Sequence, residues 1–424
     1  MRMNYLTQAG QPVSLAGRLV GRGGEGQILP VAGAPRLVAK IFHKPTLERW
    51  WKVALLLANP LPQTATHPSV VWPSEVLFTN APQPQFAGYT MPRVTAAHPI
   101  FNFYVMDIRR AKYPAFDYRY LVRCARNLAA AVALAHQHGH VIGDLNESNA
   151  LGNLQGVVRL LDVDSWQVVD SARGIVYPCG VGKAEFMAPE LQGRDLAHLV
   201  RKPCQDNFAL SVLIFKLLNE GTHPFDAVYH GRGDPPPLEA RIASGSFPYR
   251  DASGRWTPKP LAVPFGSLHP SLQQFFIQTF QTGHAQPEMR PTAWTWQQAL
   301  AKSEQDFRVC TDNPYHWCWS RHCIWCERTA RLGGLDPFPR PPRAKRRQAK
   351  PPSAPVQQQI PMPQYQASPA VSWQTDWLPA PLAEVVQAIA QQLALPPLLV
   401  EALAAGTTIV AAAVIVATLL RLLT

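Results

Sequence analysis

Three polar residues, Asp144, Asn149 and Asp162, lie close together in the stretch HVIGDLNESNALGNLQGVVRLLDVDSW, residues 140–166. Asn149 follows Asp144 by five positions, and Asp162 follows Asn149 by thirteen. Transfer of a phosphoryl group requires a carboxylate beside the acceptor hydroxyl and oxygen ligands for Mg²⁺. Two aspartates and an asparagine are residue types that could supply these groups.

The same spacing resembles the catalytic loop and the metal-binding loop of the protein kinases, HRDLKPEN and DFG. Other parts of that pattern are present before and after this stretch, in the order in which they occur in the family. GRGGEG, residues 21–26, fits G-x-G-x-x-G, LVAK ends in Lys40, and GKAEFMAPE ends in Glu190. Downstream, QDNFALSVLIF contains Asp206, and PEMRPT contains Arg290, the buried partner that the resemblance implies for Glu190. Six elements in one order carry the resemblance.

The resemblance covers residues 13–302 and implies a bilobal α+β protein-kinase-like fold that binds ATP with Mg²⁺ or Mn²⁺. It implies that Lys40 holds the α and β phosphates and that Asp144 accepts or orients the substrate hydroxyl. It also implies that Asn149 and Asp162 hold the metal ions. The other nucleotide contacts that it implies are Gly21, Gly23 and Gly26, in the Gly-rich loop, and Met91, in the hinge segment YTMPRV.

The chain departs from the kinase pattern at several positions. Ile142 and Gly143 replace the usual His and Arg, so the arginine that would bind a phosphorylated activation loop is missing. Asn146 replaces a lysine that is expected near the γ phosphate. Val163 and Asp164 replace the Phe and Gly of the metal-binding loop, and the added carboxylate is either an extra metal ligand or a solvated loop acid.

The acidic partner of Lys40 is less well defined by the sequence. Glu48 lies eight residues after Lys40, in a helix predicted to start after Pro45. Glu75 lies in WPSEVLF, which predicts a strand. We favour Glu48, and the alternative is that it lies on a solvated helix face.

Two functions of different class fit these observations. The first is a Ser/Thr protein kinase in bacterial signalling, which retention of the lysine, both aspartates and the asparagine favours. The second is a pseudokinase that binds nucleotide as a regulatory module, which the altered positions would suit. A third, a small-molecule kinase, has less support because the APE segment and GTHPF resemble the substrate lobes of protein kinases. We predict the first.

A cluster of cysteines and histidines follows in CTDNPYHWCWSRHCIWCER. Cys323 and Cys326 have the spacing that lets two sulfurs bind one tetrahedral Zn²⁺. Cys310 with Cys318 would complete four thiolates, whereas Cys310 with His316 would give three thiolates and one imidazole. The sequence leaves both sets open. We predict a structural zinc site, and the alternatives are buried free cysteines and a redox-active pair.

The chain divides into four parts by composition. They are a kinase-like domain (13–302), a Cys/His-rich module (303–330), a Pro-rich basic linker (331–380) and an apolar tail (381–424) that contains an uncharged run at 402–420. At ~1.5 Å per residue, nineteen residues are long enough to cross a hydrocarbon core of roughly 30 Å. The run predicts an anchor in the inner membrane, with the kinase domain cytoplasmic; a helix buried in an oligomer is the alternative.

Composition restricts the remaining function classes. The chain has 424 residues and a net charge of +12, but six basic side chains lie within residues 340–350. This local charge favours a linker or a membrane-facing patch over a nucleic-acid reader.

The chain opens without a signal-peptide pattern, and its cysteines suggest a reducing compartment. Protein substrates are implied, and bacterial kinases with a Cys-rich module, which this chain resembles, imply a partner phosphatase and a von Willebrand-type protein.

Overall fold

A seven-stranded antiparallel sheet forms the N-terminal lobe of the computed structural model, which describes residues 3–62 and 69–341. The strands are β1 (Met3–Thr7), β2 (Pro12–Leu15), β3 (Gly21–Arg22), β4 (Gly26–Pro30), β5 (Leu37–Phe42), β6 (Glu75–Thr79) and β7 (Phe86–Pro92), and helix α1 (Leu47–Ala58) follows β5. Their order across the sheet is β2-β1-β6-β7-β5-β4-β3. The Gly-rich segment is therefore the turn of the β3–β4 hairpin at one edge.

Strand β5 carries Lys40 and is buried along most of its length. It pairs with β4 on one side and with β7 on the other. A Cβ atom at Gly26 would lie 2.4 Å from the carbonyl oxygen of Ile41, so glycine is required for β4 to approach β5 this closely. Helix α1 begins after Pro45, as predicted, and the Thr46 side chain caps it by accepting a hydrogen bond from the Arg49 N–H at 3.2 Å.

The C-terminal lobe is mainly helical. Its helices are α2 (Phe101–Tyr104), α3 (Met106–Lys112), α4 (Tyr118–Gln137), α5 (Pro203–Leu218), α6 (Leu238–Ala243), α7 (Pro270–Ile277), α8 (Gly283–Ala285) and α9 (Ala293–Gln305). Leu121, Ala125, Leu128, Val132 and Ala135 recur at helical spacing along α4 and are all fully buried. Helix α5 packs against α4 and is buried on nearly every side.

Short strands lie between these helices and position the loops of the cleft. They are β8 (His98–Pro99), β9 (Ala150–Gly152), β10 (Val158–Leu160), β11 (Val168–Asp170), β12 (Ile175–Tyr177), β13 (Val228–Tyr229) and β14 (Trp256–Thr257). β10, β9 and β8 form a three-stranded sheet, and β11 pairs with β12. The two lobes together form a bilobal α+β protein-kinase-like fold, which confirms the predicted fold class.

The Cys-rich segment adds a hairpin and one helix to the C-terminal lobe: β15 (Arg308–Val309), β16 (Trp317–Cys318) and α10 (Ile324–Arg331). Trp325 and Phe338 belong to the same buried core as α4, and the Trp325 ring centroid lies 4.6 Å from that of Tyr118. Phe338, which the sequence analysis assigned to the linker, is thus packed in this core.

Most of the predicted linker, together with the apolar tail and its run at 402–420, lies outside the described residues. Within residues 3–62 and 69–341, none of the helices combines the length and the apolar character needed to cross a bilayer.

Candidate active site and metal centre

A cleft of about 630 Å³ lies between the two lobes. The Gly-rich hairpin covers it from above, and the segment around Asn149 lies below. All of the residues predicted to contact the nucleotide line this cleft: Gly21, Gly23, Gly26, Lys40, Met91, Asn149 and Asp162.

The cleft is lined by both apolar and polar side chains. Val20, Ile28, Val38, Met91 and Leu151 supply apolar surface. Lys40, Asn149 and Asp162 supply an ammonium, an amide and a carboxylate. Apolar walls with a few polar groups suit a ligand with an aromatic base and a charged tail.

Lys40 is buried and forms ion pairs with two carboxylates. Its Nζ atom binds Asp162, and it lies 2.8 and 2.7 Å from the two carboxylate oxygens of Asp164. Glu25, from the Gly-rich turn, is 3.8 Å away. The favoured pairing of Lys40 with Glu48 is wrong: Glu48 lies exposed in the first turn of α1, and Asp164 occupies the space beside the ammonium.

Asp164 is a buried acid with fixed partners. It is 7% exposed, and its Oδ1 atom accepts a hydrogen bond of 2.7 Å from the hydroxyl of Tyr89. The interpretation of Asp164 as a solvated loop acid is therefore wrong. Burial alone would raise the pKa of this carboxyl, but the neighbouring Lys40 ammonium lowers it. Burial and the charge of Asp164 together raise the pKa of Asp162.

Asp162 has a left-handed backbone conformation, with φ 63° and ψ 39°. Residues other than glycine rarely adopt this conformation, and it costs on the order of 1 kcal/mol or more. Ser165 stabilises the turn, because its N–H and its hydroxyl both donate to the carbonyl oxygen of Asp162, at 3.0 and 2.7 Å. The backbone thus holds the Asp162 carboxylate towards Lys40.

Asp144 and Asn149 are in direct contact. The side-chain amide of Asn149 donates to the Asp144 carboxylate at 3.1 Å and to its carbonyl oxygen at 3.0 Å. Burial raises the pKa of Asp144, although hydrogen bonds from Asn146 and Asn149 act in the opposite direction. Asn149 and Asp162 thus line the cleft, and Asp144 is held in contact with Asn149.

Asp206, at the start of α5, holds the backbone that precedes Asp144. Its side chain is 1% exposed and accepts hydrogen bonds from the N–H groups of Ile142 and Gly143, at 2.7 and 2.8 Å. The ring of His136 lies 3.0 Å from the same carboxylate. An acid buried with three partners fixes the catalytic loop on the core of the lobe.

Arg201 is a positioning residue that the sequence analysis missed. Its guanidinium is buried and donates to the carbonyl oxygens of Gly143 and Val181, at 2.5 and 2.6 Å. Gly143 has φ 75°, and a Cβ atom there would lie 2.6 Å from the Cβ of Cys179. A side chain at position 143 is thus excluded. Arg201 joins the loop that contains Asp144 to the activation segment, the stretch that follows Asp162 and ends at Glu190. No motif marks this arginine in the sequence.

The implied pairing of Glu190 with Arg290 is confirmed. The two guanidinium nitrogens of Arg290 donate to the two carboxylate oxygens of Glu190 at 2.8 and 2.7 Å. This bidentate ion pair anchors the end of the activation segment to the C-terminal lobe.

A second cluster of candidate ligands lies in the Cys-rich segment. Ligand atoms of Cys310, His316, Cys323 and Cys326 all lie within 4.8 Å of one another. The sequence leaves two ligand sets open, four thiolates or three thiolates with the imidazole of His316. The structure groups the second set. Cys318 is not a member of the group: its thiol donates to the carbonyl oxygen of Ser320 at 3.5 Å, and a hydrogen bond with the neighbouring Cys323 thiol lowers the pKa of Cys318 to about 7.

The distances in this cluster fit a tetrahedral zinc ion. Bonds of about 2.3 Å to sulfur and 2.0–2.1 Å to nitrogen place sulfur atoms about 3.8 Å apart and a sulfur and a nitrogen about 3.5 Å apart. The Cys310 and Cys326 sulfurs are 3.6 Å apart. The Nδ1 atom of His316 is 3.5 Å from the sulfur of Cys323 and 3.4 Å from that of Cys326.

Asp336 orients the histidine of this cluster. Its carboxylate lies 2.8 Å from Nε2 of His316 and accepts a hydrogen bond of 3.1 Å from the side chain of Asn313. A carboxylate on the far nitrogen of a ligating histidine is the usual support of a zinc site, because it fixes the tautomer that leaves Nδ1 free to bind.

Comparisons with known proteins give two similar curated relatives. The chain is 32% identical over 333 residues to "Protein kinase YegI" of Escherichia coli O157:H7, covering 77% of this chain and 50% of the relative. It is 32% identical over 331 residues to "Protein kinase YegI" of Escherichia coli strain K12, covering 76% and 50%. The chain thus spans about half the length of the curated relatives it matches.

Among solved structures, the chain is similar to "ROP18 kinase domain in complex with AMP-PNP and sucrose", with 16% identity and a TM-score of 0.47. That match covers 72% of this chain and 84% of the other. No family model matches the chain.

Proposed function

Because this chain is homologous to the YegI protein kinases and has a protein-kinase-like fold, we propose that it transfers the γ-phosphoryl group of ATP to Ser or Thr side chains of proteins in bacterial signalling. The observation that carries the proposal is that Lys40, Asn149 and Asp162 line one cleft, with Asp144 hydrogen-bonded to Asn149 and Lys40 to Asp162. These four residue types supply the cation, the acceptor for a proton and the metal ligands that the reaction needs.

In this proposal, each residue has a role set by its position. Lys40 binds the α and β phosphates as a cation, and the Gly-rich turn covers them with its N–H groups. Asp144 accepts the proton of the substrate hydroxyl. Asn149 and Asp162 hold Mg²⁺ or Mn²⁺, which when bound would neutralise charge on the phosphates.

Label transfer from [γ-³²P]ATP by purified protein tests the proposal, with Asp144→Asn as the matched control. The asparagine keeps the size of the side chain and the contact with Asn149, but cannot accept a proton. We expect label on the wild-type protein or on a generic protein substrate, and at least about 10²-fold less on the variant. Hydrolysis of the labelled protein should release phosphoserine or phosphothreonine. Equal labelling of the two proteins would contradict the assignment.

The second candidate function is a pseudokinase that binds nucleotide without transferring phosphate. The observation that favours it is the engagement of Lys40 by two carboxylates, with which phosphates must compete. Calorimetric binding of Mg²⁺–ATP in the absence of any label transfer would support this function. The retained metal ligands favour the kinase.

We also propose that Cys310, His316, Cys323 and Cys326 bind one structural Zn²⁺ that holds the Cys-rich segment against the C-terminal lobe. Metal analysis of purified protein should give about one zinc per chain. We expect Cys323→Ser to lose the metal and Cys318→Ser to keep it. Zinc lost from Cys318→Ser but kept by His316→Gln would instead support the four-thiolate set.

The remaining proposals concern the context of the kinase domain. Protein substrates follow from the proposed activity, and a partner phosphatase and a von Willebrand-type protein follow from the resemblance. Anchoring by residues 402–420 is tested by a carbonate wash of membranes that contain the full chain or a chain ending at Pro397. Release of the full chain by carbonate would contradict the anchor.

A further inference from the structure

The catalytic loop of this chain contains no cation. Its sequence from residue 142 to residue 149 is IGDLNESN, in which Asn146 stands where a lysine is expected. Asn146 is 1% exposed, and its amide donates to the carbonyl oxygen of Asp144 at 3.1 Å. Its Oδ1 atom accepts a hydrogen bond of 2.9 Å from the N–H of Ser148. Asn146 thus shapes the turn of the loop and supplies no positive charge to the phosphates.

A lysine from another element reaches this position. Lys183 lies in the activation segment, directly before a short 3-10 helix at Ala184–Phe186. Its Nζ atom donates a hydrogen bond of 2.7 Å to the hydroxyl of Ser148. Ser148 lines the cleft beside Asn149. The ammonium of Lys183 therefore lies at the edge of the cleft, next to the residues proposed to hold the metal ion.

Lys183 also acts on Asp144. Burial raises the pKa of the Asp144 carboxyl, and the charge of Lys183 is among the influences that oppose this rise. Two other buried or partly buried lysines of this region are engaged elsewhere. Lys40 binds Asp162 and Asp164, and the Nζ atom of Lys52 donates to the carbonyl oxygen of Pro178 at 3.3 Å.

We propose that Lys183 is a catalytic residue whose ammonium binds the transferred phosphoryl group beside Asp144. This inference rests on the proposed kinase function. An ammonium has three N–H donors, and Ser148 takes one of them. The others are free to follow the negative charge on the phosphoryl oxygens, which is where a preorganised cation lowers the barrier of this reaction.

The transfer step then balances as follows. The substrate hydroxyl oxygen forms a bond to the γ phosphorus, and the bond from that phosphorus to the β–γ bridging oxygen breaks. The bridging oxygen leaves on ADP with the electron pair. The hydroxyl proton goes to Asp144. Lys183 remains protonated throughout and transfers no atom.

The test compares Lys183→Ala, Lys183→Arg and the control Lys202→Ala. Lys183 is exposed, so its replacement should leave folding unchanged. Lys202 is a second exposed lysine in the same region and pairs with Glu288 at 3.3 Å, away from the cleft. The measurements are kcat and the KM for ATP from label transfer, and the melting temperature of each variant.

We expect Lys183→Ala to lower kcat by about 10²-fold. Its KM for ATP and its melting temperature should stay near the wild-type values, because the charge acts on the transferred group and not on the rest of the nucleotide. Lys183→Arg should recover most of kcat, since it keeps the cation. Lys202→Ala should match the wild-type protein.

Three results would overturn the inference. Full kcat in Lys183→Ala would show that the cation is not used. Equal losses in Lys183→Ala and Lys183→Arg, or the same loss in Lys202→Ala, would assign the effect to the segment rather than to the charge. Absence of transfer by the wild-type protein would overturn this inference together with the proposed function, and only that result affects both.

Discussion

Lys40 forms its ion pairs with carboxylates of a loop and not with a glutamate of helix α1. Asp164 follows Asp162 by two positions and reaches Lys40 from the same loop, and the hydroxyl of Tyr89 donates a hydrogen bond to it. Helix α1 instead contributes Arg49, which binds Glu25 of the Gly-rich turn at 2.8 Å. The position of Lys40 thus depends on the loop after β10 rather than on an acid of α1.

Replacing Asp164 by Asn should impair nucleotide use. A hydrogen bond to a charged group contributes roughly 1.5–3 kcal/mol, which corresponds to about a 10- to 100-fold loss of kcat/KM for ATP. The matched control is Glu48→Gln, which removes the exposed acid of α1 and should change nothing. The concentration of Mg²⁺ that gives half-maximal activity should be unchanged in Asp164→Asn. A marked rise in that concentration would make Asp164 a metal ligand instead.

His223 predicts a pH dependence of stability. Burial lowers its pKa to about 4 from an ordinary value of 6.5. The neutral ring fits its partners: Nε2–H donates to the carbonyl oxygen of Glu185 at 2.9 Å, and Nδ1 accepts from the N–H of Phe225 at 3.2 Å. Between pH 6.5 and pH 4 the unfolded chain binds a proton that the folded chain does not. This contribution to stability is therefore complete above pH 6.5 and is lost as the pH falls towards 4.

The change to test is His223→Gln, which keeps one donor and one acceptor but does not titrate. On acidification from pH 7 to pH 5, the wild-type protein should lose roughly 2 kcal/mol more unfolding free energy than the variant. Urea denaturation at the two pH values measures this difference. Identical losses in both proteins would mean that the ring is protonated without cost.

Two arginines hold the second half of the activation segment. Arg290 binds the side chain of Glu190, and Arg201 binds backbone carbonyl groups of Gly143 and Val181. Because Arg201 uses backbone acceptors, its contacts need no phosphate group. At the scale of this element, these two contacts predict that the segment is ordered without phosphorylation.

Replacing Arg201 by Ala should therefore release the segment from the catalytic loop. It removes two hydrogen bonds from a buried guanidinium, and we expect a loss of about 2–4 kcal/mol in unfolding free energy. Faster amide exchange should be concentrated around Val181, together with a fall in label transfer. Arg194→Ala, which changes an exposed arginine four residues after Glu190, is the control. Phosphatase treatment of the wild-type protein should leave its activity unchanged, and an activity that required phosphorylation would contradict this account.

The sequence predicted these elements unequally, for physical reasons. The stripe of α4 and the order of the kinase motifs are local patterns, because burial at helical spacing and turn geometry are written in neighbouring residues. The contacts of Asp164 with Lys40 and of Arg201 with Gly143 join residues 124 and 58 positions apart. Only the fold brings such residues together. For the metal cluster, the sequence leaves Cys318 and His316 as alternatives, and the fold brings His316 into one group with Cys310, Cys323 and Cys326.

At the scale of the whole described structure, the Cys-rich segment and the C-terminal lobe share one core. The guanidinium of Arg109, on α3, lies 4.3 Å from the ring centroid of Phe338 and donates to the carbonyl oxygen of Pro337 at 3.2 Å. Glu220 lies between Arg109 and Arg328 of α10, at 3.4 and 2.5 Å. Buried ion pairs of this kind are costly to break, so the segment is not a separable unit.

Removal of the proposed zinc should consequently destabilise the kinase-like fold as a whole. Calorimetry with a strong chelator should show one transition at a melting temperature lower by at least about 5 °C, since a loss of 2 kcal/mol or more moves a domain of this size by several degrees. Cys323→Ser should melt at the same lowered temperature without chelator, and Cys318→Ser should behave as the wild-type protein does. A main transition that stays in place while a separate, weaker one moves would contradict this coupling, because a segment that shares the core around Tyr118 and Trp325 cannot unfold without exposing α4.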